Sequence, residues 1–97
     1  MMSRQYFVYV LGNFKRTVLY IGVTGNLIRR VWEHKNDIVA GFSQKYRVHD
    51  LLYYEVFPNP TLAIEREKQL KRWNREKKNN LIVTLNPTLI DLYPTII

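Results

Sequence analysis

The chain has 97 residues, with fifteen Lys and Arg against eight Asp and Glu and a formal net charge of +7. That length leaves room for one domain, and 46% hydrophobic with 13% aromatic residues is too apolar for a disordered basic tail. The absence of cysteine excludes disulfides, thiolate metal sites and cysteine nucleophiles, and no apolar run approaches the roughly 18 residues of a membrane span.

The expectation is one cytoplasmic domain over residues 1–97, without a membrane partner, whose surplus charge suits a polyanion. Tyr6 to Leu11 is aromatic and β-branched and reads as a strand. Gly12 to Thr17 reads as a hairpin loop, and Val18 to Val23 as a second strand. Both runs are continuously apolar, which predicts a sheet covered on both faces. An antiparallel pairing with Tyr9 opposite Tyr20 puts both phenols on one face.

Asn26 offers an N-cap to a helix from Leu27 to about Asn36. Leu27, Ile28, Val31 and Trp32 lie at helical spacing, with Arg30, Glu33 and His34 turned away from that stripe. Asp37 to Asp50 reads as the helix end and a loop, and Leu51 to Phe57 as a third strand closed by Pro58-Asn59-Pro60. Thr61 is the expected N-cap of a second helix, with Ala63, Ile64, Leu70 and Trp73 apolar and Glu67 and Lys71 at i, i+4. A short third helix through Leu81-Ile82-Val83 ends at Asn86-Pro87, and the apolar last ten residues are expected to pack on the body. The fold class is α+β, a small three-stranded antiparallel sheet flanked by helices in the order β-β-α-β-α-α.

Residues 61–80 hold seven cations (Arg66, Lys68, Lys71, Arg72, Arg75, Lys77 and Lys78) against three acids. Such a face can neutralise phosphates, although a charged helix face is also a common solvated surface. Phosphodiester hydrolysis needs a way to activate water, a cation for the developing charge and usually a metal. A tyrosine serves as base only when nearby positive charge lowers its pKa from about 10. Arg30 and His34, one turn apart, could face one phosphate. Glu67, amid cations, suits one Mg²⁺ otherwise held by water and phosphate oxygens.

Phe7-Val8-Tyr9 followed by Tyr20-Ile21-Gly22 resembles the signature of the GIY-YIG nucleases. The likeness extends through Val23-Thr24, Leu27, Arg30 and Glu33-His34-Lys35 to Ala63, Arg66 to Lys71 and Asn86-Pro87. It covers about residues 6–93 and is nearest to the small stand-alone branch of that family. Phe7 stands where the name-giving glycine would be.

The resemblance implies a DNA endonuclease using one Mg²⁺ or Mn²⁺ ion, with RNA left open as substrate, acting as a monomer or weak homodimer. It assigns Tyr9 as general base or water positioner, and Tyr20 to ordering water and the scissile phosphate. Arg30 is assigned to the phosphate, His34 to assistance, Glu67 to the metal and Asn86 to support of the site. Lys35 joins Arg66, Lys68, Lys71, Arg72, Arg75, Lys77 and Lys78 as nucleic-acid contacts. Taken singly, each of these residues has an ordinary structural use; their joint spacing is what carries the assignment. The alternative is a basic nucleic-acid-binding module of the same fold that does no catalysis.

Overall fold

The computed structural model describes residues 4–97. Three strands, β1 (Tyr6–Gly12), β2 (Leu19–Thr24) and β3 (Asp50–Phe57), form one antiparallel sheet in the order β2-β1-β3. Helices α1 (Leu27–Lys35) and α2 (Phe42–Tyr46) lie between β2 and β3 in the chain. Helices α3 (Pro60–Arg72), α4 (Arg75–Leu85) and α5 (Tyr93–Ile96) follow β3.

The side chains of β1 divide between two cores, as strand alternation requires. Val8 and Val10 pack with Ile21, Leu52, Tyr53, Ala63, Leu70 and Ile82, so α3 and α4 cover that face. Tyr9 and Leu11 pack with Leu27, Val31, Val48, Leu51 and Leu92 on the other, under α1 and the C-terminal segment. The continuously apolar strands are thus explained: both faces are covered. A register shift against β3 at Val10/Leu11 lets Leu52 and Tyr53, adjacent in sequence, point into the same core.

The hairpin differs from the expected pairing. Tyr9 is opposite Gly22 and Tyr20 is opposite Leu11, a shift of two residues that keeps both tyrosines on one face as diagonal neighbours. The intervening loop fixes this register: the Asn13 side chain accepts from the main-chain N–H of both Thr17 and Val18, while Arg16 takes a left-handed φ of 59°. At Gly22 a Cβ would lie 2.4 Å from the Tyr9 hydroxyl. Only a residue without a side chain lets the Tyr9 ring lie across β2.

Local rules account for the helix starts. Asn26 caps α1 by accepting from Arg29 N–H, as expected. Helix α3 begins earlier than expected, because Asn59 caps it through Leu62 N–H and Pro60 occupies the first turn, where a missing N–H costs nothing. Asn74 caps α4 at Lys77 N–H and starts it well before its apolar Leu81 to Val83 stretch. Helix α2 emerges within the expected loop; five residues are too few to show a helical period. Helix α5 likewise adds to the expected order.

Candidate active site

Helix α1 supplies the residues that face the Tyr9 side of the sheet. Leu27, Val31 and His34 stand at i, i+4 and i+7 and are all buried, whereas Ile28 and Trp32 are about half exposed. His34 therefore belongs to the buried stripe and not to the polar face expected for it, since a polar residue at the end of an apolar period reads as part of the wet face.

His34 is only 1% exposed, and its Nε2 lies 3.0 Å from the Tyr9 hydroxyl oxygen. Its Nδ1 is buried with no hydrogen-bond partner. Burial, reinforced by the Arg30 charge, pulls its pKa down to about 4, so the ring is neutral at physiological pH. Of the two neutral tautomers, burial favours the proton on Nε2, since an unpaired lone pair at Nδ1 costs less than an unpaired N–H. In that tautomer Nε2–H donates to the Tyr9 oxygen and leaves the phenol proton free for another acceptor.

Burial pushes the Tyr9 phenol up to about 12, against the opposing pull of the nearby Arg30 guanidinium. Arg30 in turn is held more firmly protonated, first by Tyr9 and then by Glu33, which it meets at 3.2 Å. Tyr20 completes the group. Its ring centroid is 6.3 Å from that of Tyr9 and 5.2 Å from that of His34. Arg29 and Arg30 with Val23, Thr24, Gly25, Asn26 and Glu33 line a cleft of about 430 Å³ beside this cluster.

The remaining expected site residues lie elsewhere. Glu67 is on α3, in the layer on the opposite face of the sheet, and pairs with Lys71 at 3.3 Å. Strand β2, an outer strand of the sheet, presents a free edge where the two faces meet. Asn86, buried after α4, donates from its amide to the carbonyls of Leu52 and Ile90 and accepts from Ile90 N–H. These bonds fasten the start of the C-terminal segment to β3, which is a structural use of the whole amide group.

The cations of the expected basic surface fall into two groups, those with partners in the fold and those without. Lys35 is half-buried between Asp91 and Asp50 and lies over the Tyr93 ring. Arg66 makes a two-pronged contact with Glu55 at 2.9 and 3.0 Å, and Glu55 also accepts from the Tyr53 hydroxyl. Arg75 donates to the main-chain carbonyls of Arg16 and Thr17. These three cations are occupied in holding the fold. Lys68, Arg72, Lys77 and Lys78 make no ion pair among the described residues; Lys77 packs 4.3 Å from the Trp73 ring centroid. Cations on a helix were legible in the sequence, but their acidic partners, drawn from β3 and the C-terminal segment, were not.

No group of three metal-ligating side chains gathers among the described residues. Glu67 offers a single hard oxygen donor, which fits a Mg²⁺-type ion that keeps several waters and shares phosphate oxygens. Among the described residues no helix is long and apolar enough to cross a membrane.

Two tyrosines from a hairpin, an arginine and a histidine from the next helix, and a covering helix on the far face place this chain in a recognisable class. The GIY-YIG catalytic domain matches residues 5–80, and the chain belongs to that family. Within it, the chain is similar to a group of small proteins called UPF0213. One from Natronomonas pharaonis is 35% identical over 81 residues, covering 84% of this chain and 94% of the relative. Another from Clostridium perfringens is 36% identical and covers 78% and 81%. The solution NMR structure of a UPF0213 protein from Bacillus halodurans shares the fold, with a TM-score of 0.56 and 24% identity over 87% of this chain and 88% of the other.

Proposed function

We propose that this protein is a divalent-metal-dependent DNA endonuclease whose chemistry is centred on Tyr9 and Arg30. The observation that carries the reading is the Tyr9–His34–Arg30 group: a buried phenol held by a neutral imidazole, beside a guanidinium at the edge of an open cleft. Arg30 is placed to bind the scissile phosphate and offset the charge that gathers on its oxygens in the transition state. Tyr9 orients the attacking water through its hydroxyl, while Nε2–H of His34 fixes the phenol and stabilises its ionised form.

In the free protein the phenol is protonated at neutral pH, so its passage to a general base requires added positive charge. A bound divalent ion, held by Glu67 and the phosphate, would supply that charge and neutralise the leaving oxygen. As water attacks phosphorus it gives up its proton to the base, and the bond from phosphorus to the leaving oxygen breaks.

The test is cleavage of single-stranded, branched and duplex DNA with Mg²⁺ or Mn²⁺. Tyr9→Phe, Arg30→Leu and Glu67→Gln are each expected to lower the rate about 100-fold or more. A protein that cuts none of these substrates, while still binding them with a steep salt dependence, would instead be the non-catalytic binding module. RNA of matching form, run beside the DNA, decides between the two nucleic acids.

A further inference from the structure

The ring cluster does not end at the catalytic group. Tyr20 is in contact distance of His34 on one side and lies near-parallel to Phe42 on the other, with centroids 6.1 Å apart and planes at 28°. Phe42 in turn meets Tyr46 at 4.6 Å. The series therefore runs from buried Tyr9 and His34, through half-buried Tyr20, to two rings of α2 that are 47% and 41% exposed. A short surface helix that holds two aromatic rings in the open at the mouth of a polar site is not explained by core packing.

The surroundings of these rings are basic. Lys45 lies 5.3 Å from the Tyr46 ring centroid. Beyond Tyr46 a cleft of about 460 Å³ is lined by Phe14, Lys15, Arg47, His49 and Asp50 as well as Tyr46 itself, and the Asp50 carboxylate is already paired with Arg16. Phe14, at the tip of the β1–β2 loop, is 90% exposed. Lys15, Lys45 and Arg47 make no ion pair among the described residues, in contrast to Lys35, Arg66 and Arg16. Exposed π-faces flanked by free cations suit a ligand that alternates flat apolar rings with negative charge. A nucleic acid strand is such a ligand, and stacking on aromatic side chains is indifferent to base identity. In a duplex the faces of a base are covered by its neighbours, so the ring must belong to an unstacked nucleotide.

We propose that Phe42 and Tyr46 form a stacking platform for an unpaired nucleobase adjoining the phosphate held at Arg30. This inference rests on the nuclease reading for the position of the phosphate, and it names the part of the substrate that the catalytic group does not touch. Phe42 continues the line of rings that starts at Tyr9, the phenol beside Arg30, and runs through Tyr20. Lys45 and Arg47 then neutralise the following phosphates.

The test is binding without cleavage. Fluorescence anisotropy in EDTA compares a labelled single strand of about 12 nucleotides with the duplex of the same sequence and with an abasic strand. The single strand is expected to bind tightest, and the Phe42→Ala/Tyr46→Ala protein is expected to lose roughly tenfold or more for it with little change for the duplex. Phe42→Trp should retain the single-strand preference. Tyr46→Ala alone, at the outermost ring, guards against a folding defect and should give a several-fold loss. Equal losses for single strand and duplex, no loss at all, or an abasic strand that binds as well as the intact one would overturn the proposal. Because the readout is affinity, a protein that binds in this way but cuts nothing refutes the nuclease reading and leaves the platform standing. A protein that cuts but is indifferent to Phe42 and Tyr46 does the reverse.

Discussion

Two residues decide how Tyr9 is presented, and each makes a separate prediction. Gly22 is the floor on which the phenol lies, and Gly22→Ala would put a methyl group 2.4 to 2.9 Å from three atoms of the Tyr9 side chain. The ring must shift, and the expected cost is about 1–3 kcal/mol of stability in denaturant unfolding. In a Tyr9→Ala background most of that cost should vanish, giving a coupling energy that marks the clash rather than strand propensity. His34 predicts the pH dependence. Its pKa is about 4 when folded and about 6.5 in the unfolded chain, so between these values the unfolded state binds more protons. Stability from this residue is fully present above pH 6.5 and declines as pH falls toward 4, by about 3 kcal/mol in all. Carboxylates titrate in the same window, so the measurement is the difference between wild type and His34→Gln; the variant's acid limb should be shallower. The sequence pattern already put both tyrosines on one face, and the family resemblance joined Arg30 and His34 to them. What the pattern could not show is the burial of His34, because an imidazole is polar enough to be counted with the wet face and small enough to be buried.

At the scale of elements, the C-terminal segment holds the helix that carries Arg30 and His34. Asp91 accepts from the main-chain N–H of Leu51 and Tyr93 with one oxygen and from Lys35, the last residue of α1, with the other. Burial alone would raise the Asp91 carboxyl, but Lys35 and these two N–H groups hold it below the usual range. The Asn86 amide fastens the same segment to β3 by donating to the Leu52 carbonyl. Asp91→Ala leaves Lys35 half-buried with Asp50 at 3.9 Å as its remaining acid, and strands the Leu51 N–H. A loss of about 2–3 kcal/mol is expected. Amide exchange should speed first in residues 86–97 and the last turn of α1, before the central strand β1. None of this was legible in the sequence, where the last ten residues were only apolar enough to pack. The strands and the two longest amphipathic stretches were legible because hydrophobic period and caps are local signals. Helix α4 was recovered only in its apolar half, since seven polar residues separate Trp73 from Leu81 and its start is set by the Asn74 cap. Helices α2 and α5 were missed because one turn of helix is selected by tertiary contact.

For the whole molecule, the layering divides the surplus charge. On the Tyr9 side, Arg29 and Arg30 line the cleft beside the Tyr9 group, and Lys45 and Arg47 lie at the α2 rings. On the other side, Ala63 and Leu70 turn one face of α3 to the sheet, which directs Lys68 and Arg72 outward, away from it. A basic helix therefore looks like the main nucleic-acid contact in the sequence, yet its most exposed cations point away from the cluster that is to do the chemistry. The salt dependence of binding separates the two surfaces, because each phosphate neutralised on a single strand contributes about 0.7 to the slope of log K against log salt. Replacing Arg29 and Lys45 by Gln is expected to lower that slope by about 1.4, whereas replacing Lys68 and Arg72 by Gln should leave it nearly unchanged. Both pairs remove the same charge, so the protein's general attraction for a polyanion falls equally in each. A larger effect at Lys68 and Arg72 would mean that the strand crosses the edge of β2 and runs along α3. That path would bring it past Glu67 and would move the main backbone contact to the far face of the sheet.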